Sequence, residues 1–164
     1  MAEMGIPIPP NFHNTLQETN PMTTGLLTGP TAQAAHQAIL DRVDADASPG
    51  YVELLDGATV LATFTLDATA FTAATNPTPP AFSTAGLAGT LPIEVNASAS
   101  GDIDGYNLKD GAGVLVHSAS GAGVVSTSDG AIVVVNMIST VSGEPIRLVQ
   151  FNSQFPTVTV AIPA

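Results

Sequence analysis

The 164-residue chain has no cysteine and no tryptophan. Without thiols there is no disulfide framework, no thiolate nucleophile and no zinc site built on sulfur. Positive charge is nearly as scarce: Arg42, Lys109 and Arg147 stand against fourteen carboxylates, for a formal charge of −11. Phosphate binding draws on several clustered Lys or Arg whose counterions are released, so no nucleic-acid partner is expected. Anionic membrane surfaces are disfavoured on the same ground. Charged residues of both signs make up 10% of the chain, where about 25% is usual, so Thr, Ser, Asn and Gln must supply much of the solvated surface.

Long apolar runs are missing too. The longest, Ala131 to Val135, is strand-sized, far short of the roughly 18 residues that cross a bilayer. The opening MAEMGIPIPP carries Glu3 and no apolar run after a basic segment, so it does not read as a secretory signal, and synthesis in the cytoplasm is expected.

What is present falls into three parts. Residues 1 to about 30 hold Pro7, Pro9, Pro10, Pro21 and Pro30 and show neither helical nor strand periodicity, which predicts an extended arm. Its apolar residues, Ile6, Ile8, Phe12, Leu16, Met22, Leu26 and Leu27, are too many for an indifferent linker and are the candidate partner-binding residues. From about Thr31 to Ala45, Ala32, Ala35, Ile39, Leu40 and Val43 recur at spacings of three and four, predicting a helix with Thr31 as its N-cap and Pro49-Gly50 as its stop.

From Tyr51 onward the pattern is of short β-rich runs: 51–55, 59–66, 91–95, 105–109, 114–117, 124–127, 131–138, 145–151 and 157–162. Asp56-Gly57 predicts a tight turn between the first two. Val60, Ala62, Phe64 and Leu66 alternate with Leu61, Thr63 and Thr65, as in a strand with one buried face. Residues 72–90 read as a long irregular loop. Three similar segments, 111–116, 121–126 and 130–135, recur at spacings of ten and nine and predict a meander. The expected fold is mostly β, an antiparallel sandwich of jelly-roll or immunoglobulin-like kind, with residues 31–164 as helix plus body behind the arm of residues 1–30.

Chemistry is sparse in this pattern. His13, His36 and His117 fall in no metal-ligand spacing, and His36 borders the helix stripe. Asp44-x-Asp46-x-Ser48 and Asp102-x-Asp104-Gly105 resemble the front of a calcium loop, but Leu55 and Gly113 occupy the positions where the bidentate Glu would stand. Turn and helix-end roles account for both. Ser118-Ala-Ser120 and Ser126-Thr-Ser128 form no nucleophile elbow, and Gly111-x-Gly113 and Gly121-x-Gly123 lack the third glycine of a dinucleotide loop. No catalytic residue, cofactor or metal is expected.

The stretches 35–46, Pro49-Gly-Tyr-Val-Glu-Leu-Leu-Asp-Gly57 and Val60-Leu-Ala-Thr-Phe-Thr-Leu66, with Gly105-Tyr-Asn-Leu-Lys-Asp-Gly-Ala-Gly-Val114 further on, resemble small structural proteins of tailed bacteriophages. Asn107 and Leu108 stand where those proteins often carry an Arg. The resemblance implies a non-enzymatic virion protein on the outer surface of the capsid, a head decoration or cement protein that stabilises the lattice. Its implied partners are the major capsid protein and itself, with monomer and trimer both open. The rival expectations are a tail or receptor-binding component, present in few copies, and a calcium-dependent or carbohydrate-active enzyme on a β-sandwich.

Overall fold

The structure is a computed structural model that describes residues 28–76, 78, 82–128 and 131–155 together with the backbone of 23–26 and 159–162. In chain order the elements are β1 (Thr23–Leu26), α1 (Gly29–Val43), β2 (Tyr51–Asp56), β3 (Thr59–Thr65), β4 (Ser83–Gly86), β5 (Ile93–Asn96) and β6 (Gly101–Asp102), then β7 (Gly105–Lys109), β8 (Leu115–Ser120), β9 (Val125–Ser126), β10 (Val133–Val135), β11 (Ser139–Thr140), β12 (Pro145–Phe155) and β13 (Thr159–Ile162). The fold is mostly β with antiparallel sheets and one short helix, as the sequence pattern leads one to expect.

One sheet has the order β3-β2-β7-β8, antiparallel throughout. Gly57 takes φ 55° in the two-residue connection between β2 and β3, a backbone region open to glycine at little cost. The second sheet has five strands organised on β12. The start of β12 pairs with β5 and its end with β4, while its middle pairs with β10. Val52, Leu54, Phe64, Tyr106 and Leu108 of the first sheet and Val133, Val135, Ile146, Leu148 and Phe151 of the second belong to one buried cluster. Burying each of the larger side chains contributes roughly 1.5–3 kcal/mol against solvent exposure.

Several sequence expectations change. The three similar segments do not form a meander. β8 belongs to the first sheet, and β9 lies parallel to β10 in the second. The first two segments share turn chemistry, since Gly113 and Gly123 both take φ 84°. Leu61 is fully buried rather than outward, because a register shift between Leu54 and Leu55 inserts one extra residue in β3 and turns Leu61 and Ala62 both inward. The segment 72–90 is not wholly irregular, for Ser83–Gly86 forms β4 against Asn152–Phe155. The run 131–138 keeps only three residues in β10.

The helix also begins earlier than expected. Pro30 sits in its first turn, where the missing N–H costs nothing. Thr28, not Thr31, is the N-cap position, and its hydroxyl meets that of Thr31 at 2.9 Å instead of capping a backbone N–H. Its buried positions are Gly29, Ala32, His36, Leu40 and Val43, at spacings of three and four. The stripe therefore runs through His36, with Ala35 and Ile39 at its margin.

Candidate functional site

Of the candidate arm residues, Ile6, Ile8, Phe12, Leu16, Met22 and Leu27 lie outside the described residues, as does His13. Leu26 is placed by its backbone at the end of β1. There residues 23–26 pair antiparallel with 159–162, Thr23 opposite Ile162 and Leu26 opposite Thr159. Among the described residues this ribbon forms a separate two-stranded sheet. Segments from opposite ends of the sequence therefore meet side by side.

The two described histidines line one cavity of about 250 Å³ between α1, β7, β8 and the end of β12. Its walls include His36, Tyr106, His117, Phe151, Ser153 and Phe155. His36 is 1% exposed. Its Nδ1 lies 3.0 Å from Ser83 Oγ and its Nε2 2.8 Å from Ser153 Oγ, and its ring stacks on Phe155 at 6.1 Å. The Ser83 hydroxyl donates to the Thr75 carbonyl at 2.8 Å. A carbonyl can only accept, so Ser83 Oγ must accept from His36 Nδ1–H. That leaves Nε2 bare, and the Ser153 hydroxyl donates to it. Burial lowers the His36 pKa from its usual 6.5, in keeping with a neutral ring.

The proton direction from Ser153 to His36 is that of a nucleophile and its base. Behind the imidazole, however, stands the neutral Ser83 hydroxyl, which provides no anion to offset a developing imidazolium. The chain of bonds ties α1 to β4 and β12, and that structural tie is its evident role. At the far side of the cavity the Tyr106 hydroxyl meets His117 Nδ1 at 3.0 Å with the rings stacked. Burial pushes the Tyr106 pKa up to about 12, so its phenol stays protonated. His117 is itself exposed, on the edge strand β8.

Two carboxylates of the calcium-like sequences, Asp44 and Asp104, accept from backbone N–H groups of other segments. Asp44 Oδ1 accepts from Ala70 N at 3.0 Å just past the helix end. Asp104 Oδ1 accepts from Gly57 N at 3.1 Å, and Asp102 N donates to Asp56 Oδ2 at 3.3 Å. Among the described residues no three His, Asp or Glu come together as a metal-holding group. Ser126 Oγ accepts from Ser128 N at 3.1 Å, a turn role.

All three cations engage carboxylates: Arg42 with Asp110, Lys109 with Glu53, and Arg147 with Glu94. The Lys109 pKa is raised chiefly by its hydrogen bond to Glu53. Asn107 donates to the same carboxylate at 3.1 Å. No Lys or Arg is thus left as the start of a basic patch. Among the described residues no helix is long and apolar enough to cross a membrane.

Two features of the site escaped the sequence reading. The cavity is assembled from residues as far apart as His36 and Phe155, and no local pattern announces it. The signal for the depth of His36 is its place midway between Ala32 and Leu40 on the stripe. The chain matches no protein-family model, no curated protein and no solved structure.

Proposed function

We propose that this chain is a non-enzymatic structural protein of a tailed-phage virion, a decoration or cement protein that binds the outside of the capsid lattice and stabilises it. The observation that supports this reading is the apolar, Pro-rich segment 1–22, which leads directly into the ribbon of β1 and β13, a two-stranded sheet of its own among the described residues. A two-stranded ribbon alone is marginal in water, so it gains most when a neighbouring surface covers it. A body held by its own core and an attachment element that needs a partner together suit a protein that acts by being bound. Modest contacts repeated over a lattice hold firmly through effective concentration. The acidic body, with its three cations already paired, favours a protein partner over nucleic acid.

The test is stoichiometry on purified particles, with the full chain and with a chain lacking residues 1–22. Full-length protein is expected on heads in on the order of hundreds of copies, and the shortened chain is expected to fold but not to bind. Absence from heads, or a few copies at the tail, contradicts the proposal.

A further inference from the structure

We propose that the cavity beneath α1 is a binding site for a small, flat, uncharged aromatic molecule that carries one N–H or O–H donor, of the indole or phenol class. The volume, about 250 Å³, exceeds the ~150 Å³ at which an apolar protein cavity already admits benzene. The rings of His36, Tyr106, His117, Phe151 and Phe155 contribute to its walls, which favours edge and face contact with a planar guest. No carboxylate, Lys or Arg lines it, so a charged guest would be desolvated without compensation.

The demand for a donor follows from the direction of the hydrogen bonds. Ser153 lines the cavity, and its only proton is committed to His36 Nε2, because Nδ1–H is itself committed to Ser83 and Ser83 to the Thr75 carbonyl. Ser153 Oγ keeps lone pairs and has no proton to give. A guest bearing a single N–H or O–H completes that oxygen's bonding, whereas a guest offering only an acceptor gains nothing from Ser153 and is left with the exposed Gln154 amide. The exposed His117 on β8 and the partly buried Ile132 stand at the cavity's wall, so a ring need not displace the fully buried core to enter.

Because the chain has no tryptophan, the fluorescence of added indole, excited beyond the absorption of Tyr51 and Tyr106, reports binding against little protein background. Titration of the full chain with indole is expected to saturate. 1-Methylindole, which keeps the ring but loses the donor, is expected to bind roughly five- to tenfold more weakly, the effect of one net hydrogen bond. Ile132→Phe, which narrows the space without adding an indole fluorophore, is expected to weaken indole binding at least about tenfold, with its fold checked by circular dichroism and its unfolding midpoint. The proposal is overturned if the folded wild-type chain shows no saturable indole binding. Equal binding of indole and 1-methylindole overturns the assignment of Ser153 as the recognising acceptor, and both ligand comparisons use the unaltered protein.

Discussion

Tyr106 of β7 and Phe151 of β12 meet edge to face across the two sheets, with centroids 5.1 Å apart and planes at 80°. Phe151 makes a second such contact with Phe71 at 5.5 Å, so one side chain joins the first sheet, the second sheet and the segment that precedes β4. Phe151→Ala should cost about 3–5 kcal/mol through lost transfer energy and the void left behind. Val149→Ala, two positions away on the same strand but 42% exposed, should stay within about 0.5 kcal/mol. Urea unfolding of both variants checks this, and equal effects would mean that β12 does not present Phe151 to the core.

Asp110 carries a comparable weight at the helix end. It is fully buried. Its Oδ1 accepts from Ala112 N at 3.1 Å and Val114 N at 2.8 Å, while its Oδ2 meets Arg42 Nη2 at 2.6 Å. Asp110→Ala orphans two backbone donors and is expected to destabilise by about 3 kcal/mol. Arg42 is half exposed, so Arg42→Ala admits water to the carboxylate and should cost less, about 1 kcal/mol. Denaturation midpoints that reverse this order would contradict the assignment.

The same corner depends on close backbone approach. A Cβ on Gly111 would fall 1.8 Å from Ser48 O, so Gly111→Ala must separate the β7–β8 turn from the segment after α1. A loss of about 1–3 kcal/mol is expected in thermal or chemical unfolding. A neutral outcome would show that the two segments do not pack so tightly.

His36 makes stability depend on pH. Its folded pKa lies below 6.5, through burial, so between the two values the unfolded chain binds more protons. Its contribution is therefore complete above about pH 6.5 and declines as pH falls toward the folded pKa. Ser83, Ser153 and Phe155 are the groups that face it, and none takes up charge in that range. His36→Gln should be less stable than wild type near pH 7.5, and the gap should narrow toward pH 5.5. Parallel stability curves for the two proteins would refute the buried neutral imidazole.

How far the sequence carried the fold depends on whether each signal was local. β7 appears with the expected bounds and the β2–β3 hairpin forms around Gly57, because alternation and turn chemistry are short-range properties. β4, with the sequence Ser-Thr-Ala-Gly, has no apolar period and exists only because β12 runs on through Asn152, Ser153 and Gln154 to pair with it. The meander failed for a related reason, since glycine-marked turns recur regularly in chains whose strands go to different sheets. His36 reads as a border residue until β4 and β12 bring hydroxyls from 47 and 117 positions away. The arm residues from Ile6 to Met22 were legible only as an apolar, Pro-rich segment, and their role rests on the attachment proposal.

That proposal stands or falls on the number of copies of this chain carried by purified capsids. The account predicts on the order of hundreds per head, lost when residues 1–22 are removed from an otherwise folded protein. Heads that lack the chain, or hold the same number without residues 1–22, would contradict it.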